Sequence, residues 1–412
     1  MKITVKKTSL LAVCIIIAIL ILDNYFGFGS LIGIDNSKVF LGVIIISFMI
    51  CIYLLPNMFS LVLYKCKFIN CYMVMVFVSY VILFVHSIFQ YPMQGIKETL
   101  NAGISYLALF LVYPIYIFLI AEKNDKSIYR ILDILAIIIY ILILIQYITY
   151  ESGILIFPEE MIRTRNDRLR IGLHFYGNFM ILYNFYKIYL TKEKSLFRLF
   201  LTLVGILELI LIQQTRAYTL VVLICILIMI LFQKNTKNKL LKKGVIVVLI
   251  ATILFQTNIG SNFIQSLSST GEEAGSTIGR QYSMAYYLSM FKSHFPLGLG
   301  FPNVDKYGQI LNHKFQFYTT YIDDVGIIGQ LGIWGLLIIP IFIVPMIRMI
   351  YVIVKLKKQK LYDVAKWYGI VFIYIIATSG TLMVLDSYRI MLFSIIIALI
   401  EFENFKIREN KI

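Results

Sequence analysis

The residues able to do chemistry in this chain are a handful of arginines, the histidines and one pair of aspartates. Arg216 stands in the segment QQTRAYTL, and Arg280 follows a glycine in GRQYSMAYYLSMFKSHFPLGLGF. A guanidinium presents a planar fork of N–H donors that grips phosphate with parallel bonds, where lysine offers only a point charge. Together Arg216 and Arg280 form a candidate diphosphate clamp. Taken singly, Arg216 also reads as a snorkelling interfacial anchor and Arg280 as a surface charge. Arg168 and Arg170, in a run with Arg163 and Arg165, are candidate substrate-binding residues, although Glu159, Glu160 and Asp167 offer the same run ordinary salt bridges. Histidine takes a proton near neutral pH, so His313 is a candidate general base, with Asp323 and Asp324 as rivals. His294 is a further candidate contact to substrate. No Walker lysine motif, Gly-x-Gly-x-x-Gly turn, His-Glu-x-x-His or Gly-x-Ser-x-Gly occurs. Nothing therefore points to nucleotide hydrolysis, zinc or a serine nucleophile, and no metal or cofactor is expected. The energy for a reaction has to arrive with an activated substrate.

These residues need a scaffold, and composition dictates a membrane. Of the 412 residues, 60% are hydrophobic and 15% charged, where soluble domains have about 45–50% and about 25%. Apolar runs able to cross a hydrocarbon core of about 30 Å, roughly 20 residues each, recur throughout. They predict an all-α, polytopic integral membrane protein with about 12 transmembrane helices, near 8–25, 39–55, 69–89, 100–121, 129–150, 171–190, 198–214, 217–233, 244–258, 325–347, 367–383 and 387–402. The first apolar run exceeds the roughly 7–15 residues of a secretory signal and carries no Ala-x-Ala site, so it is read as a retained helix. The five cysteines lie in or beside spans and read as apolar packing.

A net charge of +16 would suit nucleic acid, but its placement makes it an orientation signal. Alternate loops, starting with Lys2, Lys6 and Lys7, hold 26 of the 38 basic residues. By the positive-inside rule both termini are cytoplasmic, and the long polar stretch 259–320 is external. No nucleic-acid partner is expected. Of the 12 remaining basic residues, seven are arginines (Arg163, Arg165, Arg168, Arg170, Arg216, Arg280 and Arg389), against four of the 26 inner ones. Lysine suffices to hold a loop inside, so arginine on the disfavoured face points to an anionic ligand there.

The chain reads as a single transmembrane domain, 1–412, with 259–320 as its large external loop. Within that loop, Ile278 to Phe295 has the spacing of an aromatic-rich amphipathic helix lying in the interface, with Ile278, Tyr282, Ala285, Tyr286 and Ser289 on one stripe. Pro296 and Gly298 end it. Gly326, Gly329, Gly332 and Gly335 then recur every three residues along the tenth span, a rhythm of close packing in membranes. Arg216 sits at the crest of a hairpin, 197–233, with only 37 positions for two crossings. An ionisable group held that near the lipid is by default a functional hypothesis.

Three segments in order resemble the bacterial O-antigen polymerase and ligase superfamily, which includes the Wzy-type polymerases of capsular and exopolysaccharide repeat units. They are RLRIGLHFYGN at 168–178, QQTRAYTL, and GRQYSMAYYLSMFKSHFPLGLGF, followed by the glycine-rich GIIGQLGIWG. Together they cover about the second half of the chain. The resemblance implies a membrane glycosyltransferase, inverting and metal-independent, that uses undecaprenyl-diphosphate-linked oligosaccharide at the outer face of the cytoplasmic membrane. By that likeness Arg216 and Arg280 hold the donor diphosphate. A chain-length regulator and a flippase are implied as partners, with membrane lipid around it. The family's ligases carry a His-Asn pair just before the glycine-rich helix. Here that stretch reads TTYIDDVG, with His313 upstream, so a polymerase fits better than a ligase.

Two other classes stay open. A flippase for lipid-linked oligosaccharide would show two halves of related pattern and charges at mid-membrane, and neither is visible. A membrane acyltransferase would need an intramembrane histidine, for which only His86 is near. The topology has a direct check: cysteine placed at Ser268 should react with an impermeant maleimide in intact cells, and one at Asn238 should not. The opposite labelling pattern would invert every site assignment.

Overall fold

The computed structural model describes residues 7–22, 36–54, 67–157, 162–165, 168–171, 175–213, 216–232, 274–315, 318–381, 383–386 and 389–409. In chain order the elements are α1 (Lys7–Leu22), α2 (Asn36–Leu54), α3 (Lys67–Gln90), α4 (Ile96–Glu122), α5 (Lys126–Thr149), β1 (Ile162–Arg165), β2 (Arg168–Ile171), α6 (Phe175–Tyr189), α7 (Leu196–Gln213) and α8 (Arg216–Phe232). There follow α9 (Ala274–Ser293), α10 (Val304–Leu311), β3 (Lys314–Phe315), β4 (Tyr318–Thr319), a 3-10 turn (Ile322–Asp324), α11 (Gly326–Trp334), α12 (Ile339–Lys358), α13 (Tyr362–Thr378) and α14 (Ile390–Glu409). The protein is an all-α membrane protein whose described strands form only two small antiparallel hairpins.

Among the described residues, α3, α4, α5, α7 and α12 are each long and apolar enough to cross a membrane. The expected span near 244–258 lies outside the described residues, and each of the others but the tenth overlaps one helix. α14 is the central element. Every residue from Ile390 to Asn404 is buried, as a helix must be when it is apolar all round. It packs on α4 and α12, while α13 packs on α12 and α8, and α6 packs on α5, α7 and α8.

The tenth span differs from its expectation at 325–347. It breaks at Gly335, whose φ is +55°, and resumes as α12 through Lys358. The break leaves helix-end carbonyls that need partners, and in a membrane none can come from water. The Pro-Leu-Gly-Leu-Gly turn supplies them: Leu299 N donates to Gly332 O at 2.8 Å and Gly300 N to Ile333 O at 3.0 Å, while Leu336 N donates back to Pro296 O at 2.8 Å. α3 grips the same turn from its other side. His86 Nε2 donates to Gly298 O at 3.1 Å, Tyr91 to Leu299 O at 2.8 Å, and Ser87 Oγ accepts from Phe301 N at 2.8 Å. Further along, Pro345 has no N–H to give the Ile341 carbonyl four residues earlier; the Tyr72 hydroxyl donates to that carbonyl instead, at 3.0 Å.

Helix α9 runs from Ala274, earlier than the expected Ile278, and ends at Ser293, ahead of Pro296. Tyr282, Ala285 and Ser289 of the expected stripe are exposed, whereas Ser283 and Tyr287, on an adjacent face, are buried. The reason is α11. Tyr287 lies over Gly332, where an added Cβ would sit 2.8 Å from its ring. The glycine rhythm does permit close packing, but what approaches is the loop helix rather than another span. A Cβ at Gly298, at φ +71°, would come within 2.6 Å of the Gly332 carbonyl. Gly298→Ala should therefore destabilise the protein by about 1–3 kcal/mol, read as a lower melting temperature in detergent. Gly369→Ala, inside α13 with nothing within 4 Å of the new carbon, should be neutral or slightly stabilising.

Candidate functional site

Four helices, α6, α8, α11 and α14, begin at one end of the bundle and meet there around Arg389. Its guanidinium lies over the Phe175 ring, 4.2 Å from the centroid. Phe175 opens α6 and meets Tyr218 of α8 edge-on at 5.2 Å. Tyr218 in turn shares a short hydroxyl contact with Tyr374 of α13. Arg389 pairs through Nη1 with Asp386, and the other Asp386 oxygen accepts from Gln330 Nε2 of α11 at 2.9 Å. Gln330 Oε1 accepts from the Tyr106 hydroxyl of α4 at 3.2 Å. Arg389 is 7% exposed and Asp386 1%. Each helix start carries about half a positive charge, and the first amides of α11 and α14 are bonded within the protein, Ile327 N to Ser379 O at 2.8 Å and Ile390 N to Asp386 O at 3.1 Å. Their convergence with a buried arginine gives this end an electropositive centre.

A second buried polar group adjoins it. Asn178 Nδ2 donates to Gln213 Oε1 at 2.9 Å, and Gln213 Nε2 donates to both carboxyl oxygens of Glu208, at 2.9 and 2.8 Å. Glu208 is 2% exposed, and Leu209–Gln213 is wound as a π-turn, a deviation frequent at functional sites. Asn178 ends the segment RLRIGLHFYGN and Gln213 lies at the head of QQTRAYTL, so these two segments meet side by side.

The expected site residues divide between two neighbourhoods. Arg216 opens α8, two residues before Tyr218, and its side chain is not among those described. Arg168 and Arg170 lie on β2, with side chains likewise undescribed. The register sets Arg163 opposite Arg170 and Arg165 opposite Arg168, so strand alternation places these four on one face and Leu169 and Ile171, both buried, on the other. Glu159, Glu160 and Asp167 lie outside the described residues. Arg280 belongs to the second neighbourhood, on α9, half-buried, with a buried Nε that has no partner. α9 packs against α11 and against the turn that carries Asp323 and Asp324. Asp324 is half-buried, while the Asp323 side chain is undescribed. His313 is exposed and stacks on Tyr286 at 4.9 Å. Tyr286 donates to Ile310 O at 2.8 Å, and burial raises its pKa above the ordinary tyrosine value. His294 stands apart from this group: its Nδ1 is engaged locally by Met290 O at 3.0 Å and Ser293 Oγ at 2.9 Å.

Sequence reasoning counted Arg389 among the outward arginines but gave it no role, and it passed over Asp386, Gln330 and Glu208. A signal was available for two of them: Asp386 and Arg389 are charges three residues apart at the mouth of an apolar span, and Glu208 is a lone carboxylate inside one.

Architecture and site define a multi-pass membrane protein with an electropositive, helix-start centre beside a large loop. Residues 200–339 match the family model described as O-antigen ligase. That match makes this chain similar over that stretch to the O-antigen polymerase and ligase superfamily, whose members are membrane glycosyltransferase-like enzymes. The matched region holds Arg216, Arg280, His294, His313, Asp323, Asp324 and Gln330; it stops short of Asp386 and Arg389. Comparison with curated proteins gave no match.

The polar group beside the site has its own test. Gln213→Leu removes the partner of both Asn178 and Glu208, and a buried group left unsatisfied costs about 1–3 kcal/mol. Melting temperature in detergent should fall for Gln213→Leu and stay near wild type for Glu208→Gln, which keeps the shape and a hydrogen-bonding group. Equal melting of all three proteins would show the group to be energetically idle.

Proposed function

We propose that this protein is a polysaccharide repeat-unit polymerase, transferring a growing glycan from undecaprenyl diphosphate onto a lipid-linked repeat unit at the outer face of the cytoplasmic membrane. Arg216 and Arg280 hold the donor diphosphate. An acceptor sugar hydroxyl attacks the anomeric carbon from the face opposite the diphosphate. The new glycosidic bond forms as the old C–O bond breaks, its electron pair leaves with the diphosphate oxygen, and a base takes the hydroxyl proton. Arginines aimed at the leaving group stabilise charge where it develops. Asp324, Asp323 and His313 are the bases to test, since α9, which bears Arg280, packs against the aspartate turn and carries Tyr286 under His313. Arg168 and Arg170 bind the glycan or its phosphate from the β1–β2 face, where like charges stand opposite one another and favour an anion between them. His294, engaged within its own helix turn, is the weakest of the substrate contacts.

The observation that carries this reading is the family match across Arg216, Arg280 and the glycine-rich α11. The sequence TTYIDDVG before α11, in place of a His-Asn pair, favours polymerase over ligase. A flippase and a chain-length regulator are the partners this activity requires.

Loss of the gene should leave single repeat units on the lipid carrier, accessible from outside. Units confined to the inner leaflet would make the protein a flippase instead, and complete chains that fail only to reach their final acceptor would make it a ligase. A charge-assisted bond is worth about 1.5–3 kcal/mol, so Arg216→Ala or Arg280→Ala should cut turnover roughly ten- to a hundredfold. Arg216→Lys and Arg280→Lys should recover part of it. Glycan-length ladders read against membrane protein abundance check this; full ladders from both alanine variants at normal abundance would remove the clamp.

A further inference from the structure

We infer that Arg389 is a third arginine of the donor site, its side chain anchored by Asp386 and Gln330 so that its free Nε–H can take an oxygen of the lipid-linked diphosphate. The inference rests on the polymerase or ligase reading of the site. It adds a residue outside the region that the family model matches.

The geometry separates Arg389 from an ordinary structural ion pair. Arg348, at the opposite end of the bundle, shows what a closed pair looks like: its Nε and Nη2 meet both oxygens of Glu401, at 2.6 and 3.1 Å. Arg389 gives Asp386 only Nη1. The second Asp386 oxygen accepts from Gln330 rather than from the fork, and Arg389 Nη1 also reaches Met383 O at 3.4 Å. Arg389 Nε is left buried with no partner in a side chain that is 7% exposed. A buried charged donor without an acceptor is costly, and such groups call for an explanation.

Its placement also opposes a purely structural role. Arg389 immediately precedes Ile390, the first residue of α14. A cation there faces the positive end of the helix, where an anion is favoured. Phe175 beneath it starts α6, and Tyr218 beyond Phe175 lies two residues from Arg216 in the first turn of α8. The buried Nε–H without a partner, beside the starts of α6 and α8, is a donor for an anion, and a diphosphate carries the charge and the acceptor oxygens that match it. Arg216 and Arg389 thus stand at one locus through Phe175 and Tyr218.

The test uses the full-length protein in lipid nanodiscs, with inorganic pyrophosphate as a competitor of the lipid-linked donor and glycan formation as the readout. Arg389→Gln should raise the pyrophosphate inhibition constant and the donor KM by about tenfold or more, the cost of one charge-assisted bond. Arg389→Lys should fall between. Neutralising Arg389 alone removes the cation that faces Asp386, so the Asp386→Asn/Arg389→Gln double variant is the decisive protein: it removes both charges of the pair and should fold to wild-type melting temperature. If the double variant remains weak for pyrophosphate and donor, Arg389 binds ligand. If it returns to wild-type inhibition and KM, Arg389 serves only the fold, and this inference is overturned while the polymerase reading stands. Wild-type protein that transfers no glycan and is indifferent to pyrophosphate would instead bring down the reading on which it rests.

Discussion

Backbone hydrogen bonding in a medium without water is the constraint on which this structure turns. A membrane helix can break only where something else satisfies its freed carbonyls. α11 breaks at Gly335, and the partners for Gly332 and Ile333 are the amides of Leu299 and Gly300 in the long loop that precedes it. Two further irregular stretches follow the same rule. Ile341, facing a proline four residues on, takes the Tyr72 hydroxyl. Ala108, in the 3-10 stretch of α4, takes Ser394 Oγ at 2.9 Å. The loop is therefore part of the bundle's wall. Because its turn plugs the break, α9 is drawn down over Gly332, and Arg280 and the Asp323–Asp324 turn come to rest beside the start of α11.

That docking explains a division of labour between the two ends of the molecule. At the lysine-rich end the charges are closed on themselves: Arg348 with Glu401, Arg198 with Glu193 at 2.9 Å and Asp133 at 3.4 Å, and Lys355 with Asn404 at 2.7 Å. At the end where α6, α8, α11 and α14 start, Arg389 and Arg280 each keep a buried Nε without a partner. Closed pairs hold a fold together. Open forks at positive helix ends are costly for stability and suited to an anion. This contrast is the physical content behind the uneven use of arginine and lysine in the sequence.

Much of the architecture was legible because it follows from hydrophobic length and charge placement alone. The spans outside 244–258, the tenth excepted, each overlap one helix, the loop helix ends just ahead of Pro296, and the glycine rhythm marks a place of close approach. What the sequence hid was which partner fills each gap. Nothing in the residue pattern marks Tyr287 as the side chain that enters over Gly332, since periodicity cannot show that a glycine on another helix leaves room for that ring. The break at Gly335 looked like one continuous span because an apolar run of 23 residues, 325–347, carries no sign that a loop 30 residues upstream will cap it. Arg389 hid for a related reason: its meaning depends on Gln330 occupying the second oxygen of Asp386, a contact between residues 56 apart.

The separation of the two arginine neighbourhoods bears on how such a site works. Arg216 and Arg389 stand on the helix bundle, reached through Phe175 and Tyr218, while Arg280 rides on α9. Two features tie α9 to the bundle, Tyr287 over Gly332 and the plugged break beneath, while the Tyr286 and Tyr287 hydroxyls bind it to Ile310 and Leu311 of α10 at 2.8 and 2.5 Å. A diphosphate seated between them would be held from one side by residues that the central helix fixes, and from the other by a helix whose position depends on a glycine-lined contact. Because α9 already rests on α11 with the aspartate turn packed against it, Arg280 and that turn would be in place before a diphosphate arrives, and its binding energy would be free to favour the transition state.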